Sequence, residues 1–553
     1  MRINGKGLID RSRPIKINFD GQNYVGFHGD TVASLLLAND VRLVGRSFKY
    51  HRPRGILTAG SEEPNALVDI DGRPNQRATT QEAWDGLTAN SQNNWPSLNS
   101  DFMGVNDLLS PWLGAGFYYK TFMWPPRFWM KLYEPLIRRA AGLGRLTGAH
   151  DRTVNEKAFA HCDVLIIGAG PAGLTAALLA ARSGADVILA DENSQAGGRL
   201  LSETETIDGA PAIQWVSKVV AELGALPNVR IMSRTTVTGA YDGGVYGALE
   251  RVGMHGDYGP DMPQETFWRI YTKRALLCAG ALERPVAFRN NDRPGIMMAS
   301  AVRSYLNRYG VSAGAKVSVF GNNDNAHQTA RDLAAAGVEV AAVIDSRPIE
   351  NPGLDMPFFS GAVVENTAGR HGLHAITLRT GDGVRKRIET DCLAMSGGWN
   401  PTLHLACHLN QKPVWNSEIQ AFVPIPDMVP GMDAAGAALG VFSTHGAMKS
   451  GKYRAKLAVE ALGLKPPSMQ LPNCHDSAGA IEPLWAVPGP GRAWLDFQND
   501  VTVKDVKQAA QENFRSVEHM KRYTTQGMAT DQGKNSNVTA LAVLADATGR
   551  SID

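Results

Sequence analysis

The sequence predicts an α/β protein, and three features of its 553 residues support that prediction. From residue 161 to about residue 460, short apolar runs alternate with Ala-rich stretches of helical length, as in chains where strands and helices alternate. Two of these runs lead directly into helix-opening loops, at Gly168 and Gly321. Apolar residues make up 43% and charged residues 20% of the chain, which indicates a folded, globular protein.

Residues 1–90 are predicted to form a small β-rich unit. Two period-two runs flank the hairpin turn Asp20-Gly21, and a short helix follows from Thr31 to Asn39. Residues 45–55 then interleave basic and aromatic side chains. The sequence leaves this run open between a solvated loop, a subunit contact and a phosphate site.

Residues 91–160 are predicted to be an aromatic-rich connecting segment. Residues 95–133 hold 11 of the chain's 41 aromatic side chains, and prolines interrupt any long helix there. Aromatic side chains bury large areas at low entropic cost. The segment is therefore expected to form either a subunit or domain interface or an ordinary core.

A dinucleotide site is predicted where a buried strand, residues 162–167, meets a Gly-x-Gly-x-x-Gly loop. Gly168 permits a tight turn, Gly170 lets the backbone approach a pyrophosphate, and Gly173 allows close contact between helix and strand. Glu192 ends the next strand, 19 residues beyond Gly173, where a carboxylate accepts ribose hydroxyls. An acid at this position disfavours a 2′-phosphate, so FAD or NAD is expected rather than NADP.

Residues 161–300 and 385–462 together form the predicted dinucleotide-binding domain, and residues 301–384 a degenerate second one. The second loop, Gly321-Asn322-Asn323-Asp324, lacks the middle glycine and adds a carboxylate, so it predicts a retained fold without a nicotinamide site. After the first site, Gly197-Gly198-Arg199 resembles the glycine pair of flavoprotein oxidoreductases with two dinucleotide domains. Ala437 lies where such proteins have an aspartate for the flavin ribityl chain, which leaves NAD and FAD open.

Composition excludes several classes of protein. The net charge of +2 argues against nucleic-acid binding, and neither a signal peptide nor a membrane span is expected. Five cysteines without a CxxC motif predict no disulfide scaffold and no metal site, and favour a cytoplasmic location. Residues 463–553 are predicted to be a Pro/Gly-rich linker and a small helical unit without clustered cysteines.

Three motifs resemble the α subunit of heterotetrameric sarcosine oxidase: residues 45–55, residues 62–66, and residues 516–525. Opine dehydrogenase, hydrogen cyanide synthase and N-methylglutamate dehydrogenase subunits are related assemblies. The resemblance implies a two-dinucleotide-domain core that follows a ferredoxin-like β-grasp unit. Relatives hold iron–sulfur clusters in that unit, whereas residues 1–161 here contain no cysteine, so a unit without a cluster is expected.

The resemblance also implies a function. A β subunit with FAD oxidises sarcosine, an N-methyl amino acid, to glycine, and an FMN shared by the α and β subunits reduces oxygen. γ and δ subunits complete the assembly. The α subunit binds NAD, and no catalytic residue can be named on it. The expected NAD-site residues are Ala172, Asp191, Glu192, Asn193, Gly198, Arg199, Val237, Ala437, Phe442 and Thr444. The expected FMN-site residues are Lys521, Arg522, Thr524 and Thr525, for which a solvated helix end is the alternative.

Family α subunits continue into a folate-binding, aminomethyltransferase-like domain beyond the position of Asp553. The sequence leaves open a split gene, a truncated chain, or a variant that releases formaldehyde instead of methylene-tetrahydrofolate. Two other functions also remain open. One is a subunit of an opine or other secondary-amine dehydrogenase, and the other is a non-catalytic scaffold that binds NAD.

Overall fold

The computed structural model describes residues 1–140, 148, 150, 153–256, 259, 262–427, 429–474 and 479–553. The chain divides into two compact units. The first comprises residues 1–149, 283–398 and 481–553, and the second comprises residues 150–282 and 399–480.

The second unit is built on a mixed sheet whose two long strands end in buried apolar runs, residues 164–167 and 275–277. Four parallel neighbours occur in the order Val229–Met232, Val187–Ala190, Asn155–Ile167 and Glu265–Leu277. Antiparallel strands Val245–Arg251 and Thr235–Tyr241 extend the sheet, and Met432–Ala434 pairs with Glu265–Leu277. The helices of this unit are Pro171–Arg182, Ala212–Ala225, His404–His408 and Thr444–Ala461. Two 3₁₀ turns lie at Gly198–Leu201 and Gly436–Leu439. Short strands lie at Thr206–Ile207, Ala210–Pro211, Val414–Asn416 and Ala421–Val423.

The first unit begins with a β-grasp sheet. Its strand order is Gln22–His28, Asp10–Phe19, Thr88–Ser91, Leu67–Ile70 and Arg73–Arg77. The predicted hairpin is confirmed, because Asp10–Phe19 and Gln22–His28 pair antiparallel across Asp20-Gly21. The predicted helix is confirmed as Val32–Ala38, and Thr31 caps it by accepting the backbone N–H of Ser34 at 3.1 Å.

A second α/β sheet in the first unit is entirely parallel. Its order is Ile296–Met298, Cys392–Ser396, Lys316–Gly321, Glu339–Asp345 and Phe358–Phe359. Helix Asp324–Ala335 follows the central strand, as the sequence predicts. The remaining elements of this part are helix Ala299–Arg303, the π-helical turn Ser304–Arg308, and the antiparallel strands Val363–Ala368, Ala375–Arg379 and Arg385–Glu389.

The end of the chain forms the predicted helical region of the first unit. Its helices are Val503–Gln511, Val517–Thr524 and Asn537–Thr548, after a small hairpin of Trp494–Asp496 and Val501–Thr502. Tyr523 stacks on Phe514 at 4.0 Å and on Tyr119 at 6.1 Å between ring centroids. The aromatic stacking therefore joins the connecting segment to the C-terminal helices.

The basic run at residues 45–55 is not a solvated loop. Arg54 is 1% exposed and forms ion pairs with Asp292 and Asp500. The Arg52 and Arg54 guanidinium groups lie 5.0 and 5.3 Å from the ring of buried Trp494. These arginines are therefore part of the core of the first unit. Their charges can be buried there because acids distant in sequence form ion pairs with them.

The aromatic connecting segment leaves much of its apolar surface in solvent. Trp112 is 63%, Trp124 81% and Met130 71% exposed. Its regular pieces are short: Phe102–Asp107, Phe117–Lys120, Pro126–Phe128, Trp129–Tyr133 and Glu134–Ala140. Among the residues that the structure describes, no helix combines the length and apolar character that a membrane crossing requires.

Candidate dinucleotide site

The glycine loop after strand Asn155–Ile167 has the geometry that close approach of a phosphate requires. Gly168 has a φ of +104°, and a Cβ on Gly173 would overlap the carbonyl oxygen of Gly168. A Cβ on Gly170, by contrast, would come no closer than 3.9 Å to another protein atom. Gly168 and Gly173 are thus required by the fold, while Gly170 leaves open space at the first turn of helix Pro171–Arg182.

That helix offers backbone donors to an anion. Its N-cap, Gly170, has no side chain, so no side-chain acceptor caps the helix. The first N–H groups of a helix lack partners within the helix, and its N-terminus is partly positive. The described residues therefore fit a pyrophosphate at this position.

Asp191 holds the glycine loop in place. Its Oδ2 accepts the backbone N–H of Ala169 at 2.6 Å. Its Oδ1 accepts the backbone and side-chain N–H groups of Asn193 at 2.8 and 3.0 Å. One carboxylate therefore fixes both the glycine loop and the residues that follow the second strand.

The backbone around Asp191 joins this region to the next strand. The Asp191 carbonyl accepts the N–H of Thr235 at 2.7 Å, and the Asn193 carbonyl accepts the N–H of Arg234 at 2.9 Å. These two bonds place the start of strand Thr235–Tyr241 beside the loop.

The second glycine pair lies directly against the first loop. Gly198 has a φ of +53°, and a Cβ there would lie 2.8 Å from the Cα of Gly170. Arg199 donates to Glu203 at 2.8 Å and to the carbonyl of Phe442. Burial lowers the pKa of Arg199, but the carboxylates of Glu203 and Glu205 outweigh it and raise that pKa. Arg199 is therefore a cation held at the edge of the loop.

Thr444 and Phe442 reach the same place from the other end of the unit's sequence. The Thr444 hydroxyl donates to Glu205 at 2.5 Å, and Thr444 is the first residue of helix Thr444–Ala461. The acid that Thr444 bonds also lies 3.5 Å from the Arg199 guanidinium. The structure thus brings Arg199, Phe442 and Thr444 together, although 243 residues separate the first two.

Two glycines that sequence reasoning missed allow this convergence. A Cβ on Gly451 would overlap the backbone of Ala172, and a Cβ on Gly436 would lie 2.8 Å from the Ala172 Cβ. Helix Thr444–Ala461 consequently packs closely on helix Pro171–Arg182. A glycine inside a helix that is otherwise regular is the signal that could have indicated this contact.

The other expected residues lie around the same loop with different exposure. Glu192 is exposed, and its carbonyl accepts from Arg251 at 2.9 Å. Val237 pairs with Ala248 in the sheet and is partly buried. Ala437 lies in the turn Gly436–Leu439 and offers no side-chain acceptor.

The second nucleotide loop is filled by its own side chains. Asn322 donates to the carbonyl of Glu482 at 2.6 Å, and Asn323 donates to the hydroxyl of Ser396 at 3.0 Å. Both asparagines are buried. The space near the start of helix Asp324–Ala335 is therefore taken up by protein hydrogen bonds.

The acid at the end of the neighbouring strand is also engaged. Asp345 lies 2.7 Å from the Nε2 of His327 and 2.8 Å from Arg347. Burial raises the pKa of Asp345, but hydrogen bonds from His327 and Arg347 more than offset that effect and hold the pKa below its usual range. Arg347 also pairs with Asp324 at 2.7 Å.

The expected FMN-site residues near the C-terminus differ in their exposure and hydrogen bonds. Arg522 is exposed and lies 3.7 Å from Glu518 one turn earlier, and Lys521 is half-buried. The Thr524 hydroxyl donates to the carbonyl of Met520 at 2.8 Å. Thr525 ends the helix with a φ of +65°, and its hydroxyl donates to the Thr524 carbonyl at 2.5 Å.

Three family models match separate parts of the chain. Residues 12–94 match a 2Fe-2S iron-sulfur cluster binding domain, and residues 163–238 match a FAD dependent oxidoreductase. Residues 490–553 match the sarcosine oxidase A3 domain. The second of these models covers the glycine loop and Asp191.

Two curated relatives match over nearly the whole chain. Sarcosine oxidase subunit alpha from Rhizobium meliloti (strain 1021) is 50% identical over 100% of this chain and 56% of its own length. The subunit of the same name from Corynebacterium sp. (strain P-1) is 38% identical over 98% of this chain and 54% of its own length. The chain thus spans about half the length of these relatives.

A solved structure has a similar fold. L-proline dehydrogenase from P. horikoshii superimposes with a TM-score of 0.70 over 100% of this chain and 96% of its own, at 19% identity. At that identity the likeness supports the fold alone. It agrees with the α/β architecture that the sequence predicts.

Proposed function

Because this chain belongs, over its full length, to the family of sarcosine oxidase α subunits, we propose that it is the α-type subunit of a multi-subunit, flavin-dependent sarcosine oxidase. That enzyme demethylates sarcosine to glycine and forms hydrogen peroxide with formaldehyde or methylene-tetrahydrofolate. The observation that carries the proposal is the 50% identity to the Rhizobium meliloti subunit.

We assign NAD to the site around the glycine loop. The open space at Gly170 and the start of helix Pro171–Arg182, which no side chain caps, suit a pyrophosphate. Glu192, exposed beside the loop, is the proposed acceptor for ribose hydroxyls. Ala437 supplies no carboxylate for a ribityl chain, which favours NAD over FAD. NAD has hydride chemistry, but here the proposed role of the residues is to bind and orient it.

The FMN proposed for the boundary with a β subunit would lie near the end of helix Val517–Thr524. Lys521 and Arg522 are the cations available there, and both lie in the last turn of that helix. Cations of this kind form charge-assisted hydrogen bonds with a phosphate. Thr524 and Thr525 would shape the turn through their bonds to backbone carbonyls.

We propose that no iron–sulfur cluster is held by the β-grasp unit. A cluster of the 2Fe–2S type needs thiolates, or histidines in place of two of them. The matched range, residues 12–94, contains no cysteine. Electrons would then pass between flavins on other parts of the assembly without a relay through this unit.

The connecting segment is proposed to face the β, γ or δ subunits. Its exposed aromatic and apolar side chains include Trp112, Trp124 and Met130. Apolar surface of this kind, concentrated in one segment, is typical of protein interfaces. A cytoplasmic location is proposed because the five cysteines are all free.

Co-expression of the chain with β-, γ- and δ-type subunits tests the proposed function. Sarcosine should be consumed with formation of hydrogen peroxide only when the β-type subunit is present. An opine dehydrogenase subunit would instead support oxidation of an opine with an artificial acceptor and without peroxide. A non-catalytic NAD scaffold would leave the rate of the β-type subunit unchanged when this chain is omitted.

A further inference from the structure

One loop of the β-grasp unit folds around a buried carboxylate, that of Glu63, which is 0% exposed. Its Oε2 accepts the backbone N–H groups of Leu57 at 3.0 Å and Thr58 at 2.7 Å, and the Thr58 hydroxyl at 3.1 Å. Its Oε1 accepts the backbone N–H groups of Asn65 at 2.8 Å and Ala66 at 3.0 Å. Four backbone donors therefore converge on one carboxylate.

Three residues of this loop have the spacing of a cluster loop. Thr58, Glu63 and Ala66 follow the C-x₄-C-x₂-C pattern that plant-type 2Fe–2S proteins use for their cysteines. The 2Fe-2S family model covers all three positions. Sulfur atoms of such clusters accept hydrogen bonds from the protein. Glu63 thus occupies the middle position of this spacing, and its carboxylate accepts the backbone N–H groups of the two outer positions, Thr58 and Ala66.

The hydrogen-bond partners of Glu63 favour its ionised form. Burial raises the pKa of Glu63, and the four backbone N–H groups reduce that rise but do not cancel it. All five contacts are with N–H or O–H groups, so a proton on the carboxyl would find only the Thr58 hydroxyl oxygen as an acceptor among them. The Tyr305 hydroxyl donates to the Thr58 carbonyl at 2.9 Å and supports the loop from outside.

We propose that residues 57–66 form an anion cradle, which the Glu63 carboxylate fills as an internal substitute for a cluster. Once this side chain is removed, the same N–H groups should bind a small free carboxylate such as formate. The inference rests on the proposal that the unit holds no cluster. Iron content of the purified chain tests that proposal separately from the cradle.

Glu63→Ala in the full chain, with added formate, tests the cradle. Loss of the carboxylate should lower the thermal midpoint by about 5 to 10 °C. Sodium formate should restore at least half of that loss, whereas formamide and sodium chloride should not. Leu36→Ala, a buried change in helix Val32–Ala38 of the same unit, is the matched control, and formate should not rescue it. Equal responses of the two variants to formate would overturn the proposal.

A second pair of variants covers the case in which Glu63→Ala does not fold. Glu63→Asp keeps the charge but shortens the side chain, whereas Glu63→Gln keeps the shape and removes the charge. The cradle predicts a higher thermal midpoint for Glu63→Asp than for Glu63→Gln. A Glu63→Gln variant as stable as the unchanged protein would show that shape, and not an anion, organises the loop.

Discussion

The carboxylate of Asp191 accepts the backbone N–H of Ala169, 22 residues earlier in the chain, at 2.6 Å. Ala169 lies between Gly168 and Gly170, in the loop at which a pyrophosphate is proposed to bind. The bond therefore fixes the loop before any ligand arrives. The two adjacent acids therefore have different roles. Asp191 shapes the site, while the exposed Glu192 is the acid proposed to accept hydrogen bonds from ribose hydroxyls.

That separation predicts different effects for the two acids. Asp191→Ala should lower the free energy of unfolding by about 2 kcal/mol without any ligand, since two partly buried backbone N–H groups lose a charged acceptor. Glu192→Ala should change stability by less than about 0.5 kcal/mol and weaken NAD binding. Urea unfolding and calorimetric titration with NAD measure the two effects. Equal loss of stability in both variants would contradict the assignment.

The glycine loop predicts a second contrast. Gly170→Ala should fold normally, because its Cβ has 3.9 Å of clearance, yet weaken NAD binding by about tenfold or more since the methyl group enters the pyrophosphate space. Gly173→Ala should lower the free energy of unfolding by about 1 to 3 kcal/mol through overlap with the Gly168 carbonyl. Thermal unfolding without ligand distinguishes the two variants. Unchanged NAD affinity in Gly170→Ala would place the pyrophosphate elsewhere.

Arg54 is predicted to be far more important for stability than a surface cation. Arg54→Met removes the cation that pairs with both Asp292 and Asp500, which are buried. It should lower the free energy of unfolding by about 3 to 5 kcal/mol. Lys316→Met removes an exposed pair with Glu339 and should cost less than about 1 kcal/mol. Denaturant unfolding of both variants measures the difference. Similar costs would mean that the buried network contributes little.

A buried pair of acids predicts a dependence of stability on pH. Burial, and then the carboxylate of Asp531, raise the pKa of Asp496 from 3.8 to about 7, and burial also raises the pKa of Asp531. A raised pKa in the folded state favours the protonated form, so stability should fall as the pH rises from about 4 to about 7 and remain lower above that. The carboxylate of Asp500 also raises the pKa of Asp496. The Lys534 cation, by contrast, lowers the pKa of Asp531 and so reduces its rise.

Asp531→Asn should reduce that fall, because it removes one of the two charges. At pH 8 the variant should be more stable than the unchanged protein by about 1 kcal/mol, and at pH 4 the two should be alike. Urea unfolding at several pH values measures the slope. Parallel slopes for the two proteins would show that the pair does not control this dependence.

The sequence predicts the glycine loop well because its spacing is local: strand, loop and helix occur within residues 162–182. The same locality explains the success with the Asp20-Gly21 hairpin and the Thr31 cap. The second nucleotide loop is predicted to lack a nicotinamide site, and the structure adds a physical reason. Asn322 and Asn323 make hydrogen bonds to other parts of the protein in the space near the start of helix Asp324–Ala335.

Features that join distant parts of a unit could not be predicted in this way. Arg54 forms ion pairs with Asp292 and Asp500, which are 238 and 446 residues away. The run of basic and aromatic residues around Arg54 in the sequence gave no sign of these partners and left a solvated loop open. Glu63 also resembles a surface acid, because sequence does not reveal four converging backbone donors. Its place in the motif at residues 62–66 and its spacing from Thr58 and Ala66 are local signals, but neither shows that its carboxylate is buried.

The nucleotide extracted by acid from the purified chain tests the central claim most directly. We predict close to one NAD per chain and no flavin when the chain is prepared without partner subunits. Gly170→Ala, prepared in parallel, should contain much less NAD. One FAD per chain in place of NAD would contradict the assignment of the intact dinucleotide site.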